Sequence, residues 1–221
     1  MCGRYALASS PELLAEFFDT PWSDPAPALF NISPQSWVPV LVLDDEGQRA
    51  WQWMRWSIPL GSGTARPIHL FNMRAESVKE KPFAQTLIQK KRCILPASAY
   101  YEWQPDGNAK VPWRIEAAEG PFLAFAGVWK NFFDTSTGEE RKACAIVTCP
   151  ATPAIRHLHD RMPLVLPSGF MDNWLNSSEG IKILKKALEL YPRVPLKYCK
   201  VNTKVGNSRF NAPEFLFGQL S

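Results

Sequence analysis

The sequence is poor in histidine, with three in 221 residues, and His69, His157 and His159 form neither an HExxH pattern nor a Cys/His ligand spacing. No metal centre is therefore expected. It has no CxxC pair. Its five cysteines, Cys2, Cys93, Cys144, Cys149 and Cys199, are odd in number and widely spaced. That argues against a disulfide framework and for a reducing compartment. No stretch approaches the ~20 apolar residues that a membrane-crossing helix needs. No apolar run stands behind the lone Arg4, so a secretory leader is not expected. A GxSxG elbow, a Walker loop and a dinucleotide fingerprint are all missing, which leaves no cofactor to expect. Repeats, low-complexity runs and linkers are missing as well.

What is present describes an ordinary globular chain. At 46% hydrophobic and 21% charged residues it buries a core and is not disordered. Its length suits one sizeable domain, taken as residues 1–221, and a monomer is expected. Twenty prolines favour short strands and many turns, and nine tryptophans favour an aromatic core or stacking surfaces. A net charge of +4 permits an anionic partner without requiring one.

Local patterns place the elements. Ser9-Ser10-Pro11-Glu12 reads as a capped helix start, with Leu13, Leu14, Phe17 and Phe18 as its apolar stripe. Asn31-Ile32-Ser33-Pro34 reads as a loop. Val38 to Leu43 and Ala50 to Ile58 read as a hairpin around Asp44-Asp45-Glu46-Gly47. Alternation along its second strand puts Trp51 and Trp53 on one face and Trp56 on the other. Gly61-Ser62-Gly63-Thr64 is a glycine-rich loop. A helix is expected from Lys81 or Pro82 to Lys91, then a strand-like run from Arg92 to Trp103. Pro105-Asp106-Gly107-Asn108 is a turn pairing Tyr100–Trp103 with Val111–Glu116. Phe122–Trp129 and Arg141–Thr148 read as strands around a Thr135–Glu139 turn, with Cys144 and Cys149 as buried structural thiols. His157 to Pro163 reads as a loop or helix end and Leu164–Leu166 as a short strand. Helices over Ser168–Leu175 and Glu179–Leu188, a strand over Val194–Val201 and an irregular tail complete the chain. The class is α+β, mainly antiparallel strands with peripheral helices.

The first residues carry distinctive chemistry. Initiator methionine is commonly trimmed before a small residue, and trimming here would leave Cys2 with an α-amine and a thiol two carbons apart. An α-amine titrates near ~7.7–8.0 and a thiol near ~8.5, so both have reactive fractions at neutral pH. The amine condenses with an aldehyde to an imine, and the thiol then closes a thiazolidine. Alternatively the thiolate acts alone as a nucleophile. Against this, chain ends are usually frayed and inert.

Four polar clusters lie in or beside apolar segments: Cys2-Gly3-Arg4, Asn72-Met73-Arg74-Ala75-Glu76, Tyr101-Glu102-Trp103 and His159-Asp160-Arg161-Met162-Pro163. Taken singly, each has a plain explanation. Glu102 would be a solvent-facing strand residue, His159 a structural histidine, and Arg74 and Arg161 surface ion-pair partners. Together with Asn31 and Pro34, the Arg92-Cys93-Ile94-Leu95-Pro96-Ala97 run, and a fainter Val201-Asn202-Thr203-Lys204-Val205 with Asn207, they resemble the SOS-response-associated peptidase family, the abasic-site-processing proteins. The blocks occur in family order from residue 2 to about 207. Three places depart from the family pattern: Ala97-Ser98-Ala99-Tyr100 stands where an Asp-Gly pair is usual, Gly206 replaces an asparagine, and Asn202 takes a place more often serine.

The resemblance implies one domain with a barrel-like antiparallel core and peripheral helices. It implies a substrate, an abasic deoxyribose in single-stranded DNA, and a covalent thiazolidine cross-link to Cys2 that shields the lesion and is reversible. Lyase cleavage is a side reaction of the imine. Cys2, Glu102, His159 and Asn72 are the catalytic candidates. Arg4, Arg74 and Arg161 would bind phosphates, and Trp103, Trp56, Asn31 and Pro34 would meet the neighbouring nucleotides. The setting expected is the cytoplasm, in association with the nucleoid. Two competing readings are a cysteine-type (auto)peptidase built on Cys2, His159 and Asn72, and a non-catalytic reader of damaged or modified single-stranded DNA.

Overall fold

The computed structural model describes residues 2–61, 68–107, 109–134 and 137–217. Met1, and with it the expected trimming, lies outside them, as do residues 62–64 of the glycine-rich loop, Asn108 of one expected turn and Thr135 of another.

The first third of the chain runs β1 (Tyr5–Ala8), α1 (Pro11–Phe18), β2 (Ala28–Ile32), β3 (Trp37–Leu43), β4 (Arg49–Trp56), β5 (Ile58–Leu60), β6 (Ile68–Leu70) and β7 (Asn72–Arg74). Next come α2 (Pro82–Lys90), β8 (Arg92–Ala97), β9 (Ala99–Asp106), β10 (Ala109–Ala117), β11 (Leu123–Asp134) and β12 (Glu139–Pro150). The last part holds β13 (Arg161–Pro163), β14 (Val165–Leu166), α3 (Met171–Asn176), α4 (Gly180–Leu190), β15 (Leu196–Lys200) and α5 (Glu214–Phe217). The class is α+β, as expected.

Strands β3, β4, β12, β11 and β8 close into a small barrel, with each strand bonded to the next and β8 returning to β3. All its pairings are antiparallel except β4 with β12. The apolar runs over these strands are buried because a closed sheet this narrow is filled by its own side chains. Gly127 shows how tight the filling is. A Cβ there would lie 2.4 Å from Leu95 Cδ1 and 2.9 Å from Cys93 Sγ. Cys93, Cys144 and Cys149 are buried.

A second sheet, in the order β15-β10-β9-β1-β2, is antiparallel throughout. It grows out of the barrel because the run from Arg92 onward, expected as one strand, turns between β8 and β9 at Ser98. The Ser98 hydroxyl donates to the Ala8 carbonyl at 3.2 Å and accepts the Ala8 N–H at 3.1 Å, which locks β1 into that corner. Alternation then sorts the sheet's two faces. Tyr5, Tyr100 and Ile115 join the barrel core. Ala6, Ala99 and Tyr101 pack instead under Val201, Val205, Phe215 and Leu216, so the C-terminal segment covers the far face.

On the barrel's other side α2, α3 and α4 cluster around Arg92. This guanidinium is buried yet faces no carboxylate among the described residues. It donates to the carbonyls of Ile88 and Gln89, at the end of α2, and of Trp174, Leu175 and Ser177, at the end of α3. A cation at two helix C-termini satisfies their orphan carbonyls and their dipoles together.

Two local expectations are corrected. Residues 28–32 form β2 where a loop was expected at Asn31, because Ile32 pairs with Tyr5 and that partner is remote in sequence. Trp56, expected as a stacking platform for DNA bases, is fully buried. Its indole donates to the Phe71 carbonyl at 2.9 Å and packs edge-on against Tyr5, so it is a core residue.

Candidate active site

Three strands and one loop deliver the expected catalytic groups. Cys2 leads into β1, and it is fully buried although it stands next to the chain terminus. Asn72 begins β7. That strand continues along β12 where β4 leaves off: Trp56 lies beside Cys144, and Asn72 beside Ile146. From this position the Asn72 amide donates to the Cys2 carbonyl at 2.6 Å. Its Oδ1 is buried without a hydrogen-bond partner among the described residues. The frayed-terminus explanation for Cys2 fails on this geometry.

Glu102 lies on β9 two residues after Tyr100, on the face turned to the barrel, and is 4% exposed. Burial pushes its carboxyl up to about 7, and the charge of Asp160 adds to the rise. Burial, reinforced by the charge of Glu102, pushes the Cys2 thiol up as well. The two groups therefore feel one another, and the thiol is protonated at neutral pH.

His159 precedes β13. Its Nδ1 accepts the backbone N–H of Arg161 at 2.9 Å, and Asp160 Oδ1 also lies 2.9 Å from that nitrogen. A ring nitrogen that accepts an amide N–H carries no proton, so the Asp160 contact is not an ion pair. Burial lowers the His159 pKa in agreement with a neutral ring, whose remaining hydrogen then sits on Nε2. Glu102 and His159 line one cleft of about 400 Å³, together with Trp103, Lys110 and Gly206. Lys110 escaped the sequence reading because its place in the cleft follows from the β9–β10 register and from no local pattern.

The arginines divide. Arg161 grips Glu76 in a two-pronged ion pair at 2.7 and 3.0 Å and reaches the Thr148 carbonyl at 2.8 Å. Arg4 donates to Asn31 Oδ1 at 3.0 Å and to the carbonyls of Val205 and Gly206 at 3.3 and 3.4 Å. Asn31 is itself buried, and its Nδ2 holds the carbonyls of Asn207 and Phe210 at 3.1 and 2.7 Å. These three side chains turn most of their polar groups to the protein and fasten the walls of the site, although the Nε atoms of Arg4 and Arg161 are buried without a hydrogen-bond partner among the described residues. Arg74 is exposed, while Pro34 and Trp103 are half-buried. Among the described residues, no group of three or more His, Cys, Asp or Glu side chains is placed to hold a metal ion. None of their helices is long and apolar enough to cross a membrane.

Comparison with known proteins adds to this geometry. The abasic site processing protein YoqW of Bacillus subtilis is 29% identical over 98% of this chain and 99% of its own. The abasic site processing protein YedK of Escherichia coli is also 29% identical, over 98% of this chain and 99% of its own. A crystal structure of a protein from Bacteroides thetaiotaomicron superposes with a TM-score of 0.80 at 22% identity, covering 99% of this chain and all of that one, and shares the fold. The family model described as SOS response associated peptidase matches residues 1–208, a span that takes in Cys2, Asn72, Glu102 and His159, and the chain belongs to that family.

Proposed function

We propose that the protein processes abasic sites in DNA by capturing the lesion's aldehyde covalently on Cys2, once Met1 has been removed. The observation that carries this reading is a buried Cys2 held through its carbonyl by Asn72 and coupled to a Glu102 carboxyl that titrates near neutrality. An N-terminal residue is rarely worth burying for stability. One buried beside a group able to give and take a proton at neutral pH suits chemistry.

The steps balance as follows. The ring-opened deoxyribose presents a C1′ aldehyde, and the Cys2 amine adds to it to form a carbinolamine. Protonated Glu102 gives its proton to the departing hydroxyl and water leaves; the Glu102 carboxylate then takes the proton from the iminium nitrogen, and a neutral imine remains. The Cys2 sulfur then bonds to C1′. Its proton passes to the former imine nitrogen, directly or through Glu102, and the five-membered thiazolidine closes. Because the thiol rests protonated, amine attack comes first. Neutral His159 uses its Nε2–H to assist opening of the sugar ring, and Asn72 Oδ1 accepts from the Cys2 amine. Arg74 and Lys110 supply phosphate contacts, with Trp103 and Pro34 against neighbouring bases, while Arg4, Asn31 and Arg161 keep the cleft in shape. Single-stranded DNA is the substrate form, since an aldehyde sequestered in a buried pocket must be swung clear of a duplex. A cysteine peptidase needs a resting thiolate, and burial pushes Cys2 the other way.

Incubation with an abasic oligonucleotide on a denaturing gel tests the reading. Cys2→Ala should give no stable adduct, and an undiminished adduct would overturn the thiazolidine. Cys2→Ser keeps the amine and should give only imine that borohydride traps. Glu102→Gln should slow adduct formation by ~10²–10⁴-fold; an unchanged rate removes Glu102 from proton transfer.

A further inference from the structure

The sheet face that carries Glu102 continues outward from the cleft. Directly opposed residues on antiparallel strands share a face. Glu102 lies opposite Trp113, Trp113 opposite Lys200, and Ile115 opposite Tyr198. Side-chain contacts tie these positions together. The Trp113 indole donates to Gln104 Oε1 at 3.0 Å, and Gln104 Nε2 donates to the His157 carbonyl at 3.3 Å. Trp113 and Tyr198 meet edge-on with ring centroids 5.6 Å apart, and His157 meets Tyr198 at 5.1 Å. Lys200 Nζ sits 5.6 Å from the Trp113 centroid. The result is a ledge of three rings with an ammonium group on it. One end touches Glu102, and the other lies two residues before His159.

Packing alone does not account for this ledge. Tyr198 is 40% exposed, and His157 and Lys200 are exposed too. Partly exposed aromatic rings beside a lysine suit stacked bases and their phosphates, because every base has a π face and every linkage an anion. We propose that the ledge of Trp113, Tyr198 and His157, with Lys200, is a flanking subsite for the single-stranded nucleotide next to the abasic sugar held at Cys2. The inference rests on the covalent reading of Cys2 given above. It adds a requirement that reading lacks: an unpaired base on one particular side of the lesion, since a base inside a duplex keeps its faces in the stack.

The test uses full-length protein and an oligonucleotide carrying a tetrahydrofuran abasic analogue, which binds without reacting. A 2-aminopurine is placed beside the analogue on one side or the other. The wild type should quench its fluorescence on one side only. Tyr198→Ala should lose that quenching and bind ~5–100-fold more weakly, as expected for a lost base–aromatic stack. Tyr198→Phe should keep the quenching. Lys200→Ala should lower the slope of log affinity against log salt by about one counterion. Oligonucleotide truncated on the quenched side should bind wild type and Tyr198→Ala alike. Unaltered quenching and affinity in Tyr198→Ala would overturn the subsite, and so would an equal loss of affinity on truncated DNA. Wild-type protein that quenches normally yet never cross-links authentic abasic DNA would overturn the Cys2 reading instead and leave the ledge standing.

Discussion

Taking the charge of Glu102 out of water is what lifts its carboxyl from an ordinary 4.5 to about 7, and the lift has a cost in stability. The folded state holds this proton more tightly than the unfolded chain does. Stability is therefore fully present below about pH 4.5 and is lost as pH rises to about 7, by an amount on the order of 3 kcal/mol. Glu102→Gln removes the charge and keeps the shape. It should melt above the wild type at pH 8 and level with it near pH 4, in the same variant that cross-links slowly. A melting difference that does not change with pH would show that the carboxyl is not strained by burial. Legibility at this scale was uneven. Glu102 stands out in the sequence only as a member of a pattern, since a strand glutamate is usually solvated and alternation does not reveal which face a sheet buries. Trp56 turns to the core, an outcome that alternation leaves open, since it places Trp56 opposite Trp51 and Trp53 without saying which of the two faces meets the core.

Short elements joined by local signals are legible in the sequence, whereas β2 and β7, which owe their form to distant partners, are not. Ser10 caps α1 by accepting the Leu13 N–H at 3.3 Å, as Ser-Pro-Glu before an apolar stripe implies. The β3–β4 hairpin follows from its turn residues and flanking runs. β7, by contrast, is three residues long and owes its form to β12, which lies 74 residues onward, so no periodicity within it marks a strand. The helical cluster around Arg92 makes its own predictions. Arg92→Leu leaves the last carbonyls of α2 and α3 without their shared donor and should cost about 2–5 kcal/mol in urea unfolding. Gly180 lets α4 start against α2, since a Cβ there would sit 2.2 Å from the Ile88 carbonyl oxygen. Gly180→Ala should cost roughly 1–3 kcal/mol by the same measurement, because backbone must yield to make room.

Across the whole molecule, the site is assembled by closure of the barrel and by a C-terminal segment drawn back over the second sheet. Arg4 and Asn31 hold that segment at Val205, Gly206, Asn207 and Phe210, and Asn211 returns the grip by donating to the Ala28 carbonyl at 2.9 Å. Asn31→Ala should speed amide hydrogen exchange over residues 203–217 while leaving β11 and β12 protected. Unchanged exchange there would show that Asn31 is not the fastener. The meeting of Cys2, Asn72, Glu102 and His159 was not physically legible in their spacing, because strand closure, which no short window of sequence contains, sets their distances. Only the combined pattern of residues pointed to it. The divided edge along β12 carries a consequence of its own. β4 and β7 are successive tenants of one ladder, and β5 and β6 pair with one another in the stretch between them like a railway siding. Since Leu60 already meets Ile68 across that pair, foreign loops grafted between those two positions should leave the grip of Asn72 on Cys2 intact.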